Sequence, residues 1–170
     1  MRRMTGRDGG QVFKADRYQV LLLSCPATLP FSFASHPWFV VNKKGTISRW
    51  EVFMRPQEGW SMRWGHLHKD FYPPFRGIAL LLFSEKYTWK RGVVRGVIEG
   101  AEGSLAHHIA ECIEASWGRY PYRNDYALMG PNSNTYAQWI LDQFPECGLR
   151  LRWNAWGKRY AALSEARHGH

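Results

Sequence analysis

The stretch that most constrains this fold is residues 126–144, YALMGPNSNTYAQWILDQF. Gly130-Pro131 is a breaker signal. Asn132, Ser133, Asn134 and Thr135 follow, and all four suit a helix N-cap, because their side-chain oxygens can take a free N–H of the first turn. Tyr136, Trp139, Ile140 and Phe144 then recur at spacings of three and four, which predicts one apolar helical stripe, and Pro145 stops it. Ser133 thus falls at a helix N-terminus, where backbone donors and the helix dipole favour negative charge. That position suits a nucleophile, and it suits an ordinary cap equally well.

The rest of the chain must supply a core for this helix. Its 170 residues fit a single domain over residues 17–162, with a loose lead-in over 1–16 and a tail over 163–170. With 45% hydrophobic and 22% charged residues the chain is globular. Nine Trp, nine Phe and eight Tyr imply either a heavy aromatic core or an aromatic-lined groove. The net charge of +9 attracts anions without specificity. The cations are dispersed and never form a run of five, so a solvated basic surface is the simpler reading, and an anionic polymer is a partner class it admits. Tyr87, Trp89, Lys90 and Arg91 would suit single-stranded nucleic acid. No RNA-binding motif surrounds them, so nucleic acid is not indicated.

Cys25, Cys112 and Cys147 are odd in number and far apart, with no CxxC pair and no zinc spacing. Reduced thiols in a cytoplasmic protein fit this better than a disulfide framework, and none of the three is expected to be catalytic. Leu22-Leu23-Ser24-Cys25 looks like a lipoprotein cleavage box, which would anchor the chain at Cys25, although domain-like sequence follows at once. No stretch approaches the roughly 20 apolar residues of a membrane span.

In chain order, strands are expected over residues 18–24, 37–41, 46–54, 78–83 and 93–98. A long surface loop is expected over 55–76. A helix over 104–117 should carry Leu105, Ile109, Cys112, Ile113 and Trp117 on one face, and 149–153 has strand character. Asn42-Lys43-Lys44-Gly45 reads as a tight hairpin turn. Side chains two apart on a strand share a face, so His36 lies with Trp38 and Val40, and Glu51 with Arg49 and Phe53. A turn centred on Lys43-Lys44 sets His36 opposite Glu51. One centred on Lys44-Gly45 makes Glu51 its diagonal neighbour, still in reach. A three-residue loop separates the two onto opposite faces. A His36–Glu51 pair is therefore expected, either as a site or as an ion pair at the sheet edge.

Neither cofactor nor metal is expected. His66-Leu67-His68 lacks the further ligands a metal needs. His107 and His108 are adjacent on a helix and should point apart.

The order His36-Pro37-Trp38-Phe39-Val40-Val41 and then Asn132-Ser133-Asn134-Thr135-Tyr136 resembles the circularly permuted papain-like superfamily, with its NlpC-type peptidases, lecithin–retinol acyltransferase group and PPPDE peptidases. More closely, residues 18–160 resemble a bacterial domain-of-unknown-function family with a His-x-Trp strand, a Tyr-Pro-Tyr piece (Tyr120 to Tyr122), Gly-Pro-Asn-Ser-Asn-Thr and a Gly-Lys-x-Tyr ending (Gly157 to Tyr160). The resemblance implies an α+β fold, an antiparallel sheet packed on helices, with the nucleophile helix docked on the His strand. It implies Ser133 as nucleophile, His36 as base, Glu51 as the group orienting it, and Asn132 or a backbone N–H near Asn134 as oxyanion support. The permuted papain-like enzymes carry Cys where this chain has Ser133. A helix N-terminus beside an imidazolium yields a standing thiolate but leaves a serine protonated, so Ser133 needs a hydrogen-bonded base. Two functions follow: a hydrolase or acyl-transfer enzyme acting on an amide or ester, or a catalytically silent domain that binds a peptide, glycan or anionic polymer.

Overall fold

A computed structural model describes residues 13–54, 66–81 and 84–160. Much of the expected loop over 55–76 lies outside these residues. The architecture is α+β. A five-stranded antiparallel sheet runs in the order β4-β3-β2-β1-β7, from β1 (Tyr18–Pro26), β2 (Ser35–Lys43), β3 (Thr46–Val52), β4 (Leu67–Lys69) and β7 (Val93–Gly100). A separate two-stranded sheet pairs β5 (Ala79–Leu81) with β6 (Ser84–Thr88). Among the described residues, the remaining elements are two helices, α1 (Leu105–Arg119) and α2 (Ser133–Asp142), and a short 3-10 turn over Pro145–Cys147.

The middle strands β1 and β2 are buried along nearly their whole length, because both faces of the sheet are covered. On one face Val20, Leu22, Phe39, Val41, Trp50 and Val52 pack against both helices. On the other, Leu21, Leu23, Cys25, Trp38 and Val40 pack with Tyr72 and Ile78. This double coverage explains why VLLL in β1 shows no alternation.

The β2–β3 turn is Lys44-Gly45, both at positive φ (50° and 95°), which suits a two-residue hairpin whose twist matches its strands. Lys43 therefore pairs with Thr46 and Phe39 with Trp50, so the second of the two favourable registers is the one adopted. Continued to the strand ends, this register sets His36 across from Phe53 and makes Glu51 its diagonal neighbour.

Helix α1 starts where expected, capped by Ser104, but Trp117 is exposed on it. In α2, Tyr136, Ala137, Ile140 and Leu141 are buried while Trp139 is only half-buried, so the apolar stripe is rotated from the expected one. Ile140 is the better probe of this packing. Ile140→Ala should destabilise the fold by about 2–5 kcal/mol, measured by denaturant titration. Residues 149–153 form no strand, since among the described residues no neighbouring backbone pairs with them. Within the expected loop, Leu67 is instead fully buried in β4. Among the described residues no helix is long and apolar enough to cross a membrane.

Cys25 is buried beside His36 in the β1–β2 register, and burial pushes its thiol up to about 11. Burial also raises the Cys112 thiol. Neither supplies a ready thiolate. Cleavage before Cys25 would remove most of β1, a strand paired on both sides.

Candidate functional site

Asn132 builds the N-terminus of α2. Its Oδ1 accepts from the N–H groups of Asn134 (2.9 Å) and Thr135 (3.2 Å), and Thr135 Oγ1 returns the favour by accepting from the Asn132 N–H at 3.1 Å. This is a reciprocal capping box, so Ser133 is not the cap but the first residue inside the helix. The side-chain amides on either side are spent on bracing. Asn132 Nδ2 donates to Leu128 O (2.8 Å) and Trp156 O (3.1 Å). Asn134 Nδ2 donates to Trp156 O and to Ser35 O, both at 2.9 Å. The last of these bonds ties the helix N-terminus to the start of β2, where the next residue is His36. Neither amide has a proton left for a ligand. The N–H groups of Asn132, Asn134, Thr135 and Tyr136 are also engaged. Among the described residues, the Ser133 N–H and Oγ take part in no hydrogen bond.

The C-terminal segment closes over this cap. Thr135 Oγ1 donates to Gly157 O at 2.9 Å, and Tyr160 packs edge-on against Tyr122. Gly130 and Tyr160 are in close contact, since a Cβ on Gly130 would stand 2.7 Å from that of Tyr160. The pieces Tyr120 to Tyr122, Gly130 to Thr135 and Gly157 to Tyr160 are thus one assembly supporting one helix end. Gly157 has φ +86°, and a Cβ there would meet Asn132 Nδ2 at 2.6 Å. Gly157→Ala should therefore cost more than about 1 kcal/mol, by strain and by displacing the cap, read as a drop in thermal midpoint.

At the start of β2, His36 Nε2 lies 3.2 Å from Glu51 Oε2, both side chains being buried. Arg49, fully buried, donates from Nη2 to the same oxygen at 2.7 Å. Its Nη1 bonds to the carbonyls of Pro73 (2.9 Å) and Arg76, and its guanidinium lies over the Trp38 ring, 4.2 Å from the centroid. Burial raises the Glu51 carboxyl, but the His36 hydrogen bond and the Arg49 charge outweigh it, so the net shift is downward. Glu51 is a standing carboxylate that fixes one edge of the imidazole. The Nδ1 edge of His36 has no partner among the described residues.

His36, Ser133, Asn132 and Asn134 all line one cavity of about 490 Å³. The hairpin and helix meet there across nearly 100 residues of sequence, as expected. Ser133 and His36 share its wall without a hydrogen bond between them.

Three contributors escaped the sequence reading. Arg49 was visible only as a same-face neighbour of Glu51. Trp156, whose carbonyl takes both asparagine amides, carries no local signal. Asp70 accepts from the Arg49 N–H at 2.6 Å and follows β4, 21 residues further along the chain. The histidine pairs resolve otherwise. His68 stacks on Phe53, with ring centroids 4.1 Å apart. His107 and His108 do not point apart: their rings stack at 5.6 Å, and their ligand atoms lie within 4.8 Å of one another and of a Glu111 oxygen. His107 has both nitrogens engaged, Nδ1 by the Gly103 N–H and Nε2 by Glu111, so it is a poor metal ligand.

Fold and site together define an α+β domain in which a braced helix N-terminus and a carboxylate-held histidine open onto one cavity. Residues 25–160 match the family described as "Protein of unknown function (DUF3750)", and the chain belongs to that family. No curated protein and no solved structure matches it.

Proposed function

We propose that this protein is a Ser/His-dependent hydrolase or acyl-transfer enzyme acting on an amide or ester, built on a circularly permuted papain-like, NlpC-type scaffold. The observation that carries this reading is the Glu51–His36 pair opening onto the cavity that Ser133 lines. With Nε2–H donating to Glu51, the Nδ1 lone pair of His36 is left to take a proton. Ser133 Oγ attacks the carbonyl carbon and its proton passes to Nδ1. The leaving alcohol or amine takes that proton as the carbonyl–heteroatom bond breaks. Water then cleaves the acyl-serine with His36 again as base, releasing the acid, or an acceptor alcohol or amine takes the acyl group. The Ser133 N–H, spared by the capping box, is the donor available to the tetrahedral oxyanion. Asn132 and Asn134 hold the helix end in place and do not contact the oxyanion.

One observation favours the silent binding domain: Ser133 Oγ and His36 are not hydrogen-bonded. In enzymes of this chemistry such bonds often tighten only when substrate is bound, so the open geometry is compatible with catalysis. A fluorophosphonate probe with mass spectrometry of the labelled peptide separates the readings. Labelling of Ser133 that disappears in His36→Ala supports the enzyme. Labelling that survives His36→Ala unchanged overturns the mechanism with His36 as base, and no labelling of the folded protein supports the silent domain.

A further inference from the structure

We infer that the cavity beside Ser133 holds a long apolar acyl chain, so that the substrate is a hydrophobic acyl ester or amide. This rests on the proposed function only for the fate of the ester; the acyl site itself stands on the lining.

The cavity wall contrasts with the rest of the molecule. The chain carries a net charge of +9, yet among the described residues no lysine or arginine lines the cavity, and Glu85 is its one carboxylate. A phosphate, an acidic glycan or a peptide carboxylate finds no counter-charge there. The wall is built from Phe31, Phe53, Tyr72, Ile78, Leu128 and Trp156, the composition that favours an apolar ligand. Of its polar lining, Ser35, His36, Asn132, Ser133 and Asn134 are grouped at the start of β2 and the N-terminus of α2, where the carbonyl to be attacked must sit, while Thr28, Ser84 and Glu85 come from other segments.

The apolar lining also continues to the surface. Leu81, Leu128 and Trp156 both line the cavity and are exposed, at 43%, 47% and 37%, and exposed Phe33 packs on Trp156 with ring centroids 4.9 Å apart. Apolar side chains clustered at the mouth of an apolar cavity mark a binding groove. A chain entering past Trp156 and Leu128 remains in apolar contact until its carbonyl reaches Ser133.

Two measurements test this. A neutral fluorescent acyl ester, methyl 11-(dansylamino)undecanoate, is titrated into Ser133→Ala protein and displaced with methyl palmitate. Para-nitrophenyl acetate, octanoate and palmitate are compared as substrates of the unsubstituted protein. The expected results are saturable binding displaced by the ester, at least tenfold weaker binding in Leu128→Asp, and kcat/KM for octanoate about 100-fold or more above acetate, from six added methylenes. Leu128 is half-exposed, so this substitution should leave the thermal midpoint unchanged, and Trp156→Ala is the second mouth variant if it does not. Binding without hydrolysis of any ester would sustain the acyl site and refute the catalytic reading. Hydrolysis that is indifferent to chain length, with no binding of the dansyl probe, would overturn the acyl site and leave the Ser133–His36 chemistry standing. Binding unaltered in both Leu128→Asp and Trp156→Ala would place the probe elsewhere and overturn the inference too.

Discussion

Replacing Arg49 with Met should destabilise the protein by about 3–5 kcal/mol, because it strands the Glu51 carboxylate in the interior without its counter-charge. Glu51 is fully buried, and its Oε1 already lacks a partner among the described residues, so there is no spare solvation to absorb the loss. Denaturant titration of Arg49→Met, Glu51→Gln and the double variant gives the coupling. If Arg49 serves Glu51, the double variant should lose much less than the sum of the two. Additive losses would show that Arg49 acts only through Trp38 and the carbonyls of Pro73 and Arg76. The same pair makes a pH prediction. The folded-state pKa of Glu51 lies below the ordinary 4.5, so its contribution is fully present above that pH and is lost as pH falls through the lower folded value. The stability of the unsubstituted protein should therefore fall on acidification below about pH 4.5, with a shallower fall in the double variant that lacks the pair.

On the proposed mechanism, Ser133→Ala and His36→Ala should each lower ester turnover by a similar factor, on the order of 10⁴ to 10⁶, since a nucleophile and its base act as a unit. Combining them should add almost nothing. Glu51→Gln should cost less in turnover than either, provided the comparison is made where the variant remains folded. Stability separates this outcome from a structural role. Asn132 is the cap, and Ser133 Oγ makes no hydrogen bond among the described residues, so Ser133→Ala should barely move the thermal midpoint. A Ser133→Ala protein with normal stability and full turnover would remove the serine from the mechanism.

The parts of this site that could be read from the sequence are those encoded within a few residues. The α2 start was legible because Gly-Pro and four capping residues precede a period of three and four. The His36–Glu51 pair was legible because strand alternation limits the possible neighbours, although the register itself depended on which residues accept positive φ, and Lys44 does. The orientation of α2 was not legible to the same precision. Trp139 and Tyr136 both fit the stripe, and tertiary packing decided in favour of Tyr136, whose hydroxyl is hydrogen-bonded to that of Ser116 at 2.9 Å. Short strands such as β4 and β6 have too few residues to show alternation. Arg49 was illegible as a core residue because arginine is ordinarily exposed, and its burial depends on Glu51, two carbonyls and an indole meeting in space. The cavity has no sequence signature, because its wall comes from segments far apart along the chain.

The bracing of α2 by the C-terminal segment has a consequence for synthesis. The carbonyls of Trp156 and Gly157 complete the hydrogen bonding of Asn132, Asn134 and Thr135, and these acceptors are made more than 20 residues after the groups they serve. On a translating ribosome the His36–Glu51 hairpin emerges early and can form long before the helix end is secured. The nascent chain therefore carries His36, Glu51 and Ser133 while the scaffold that holds the helix end is still incomplete. Whatever this site does, the helix end that carries Ser133 is fully braced only after residues 156 and 157 have emerged.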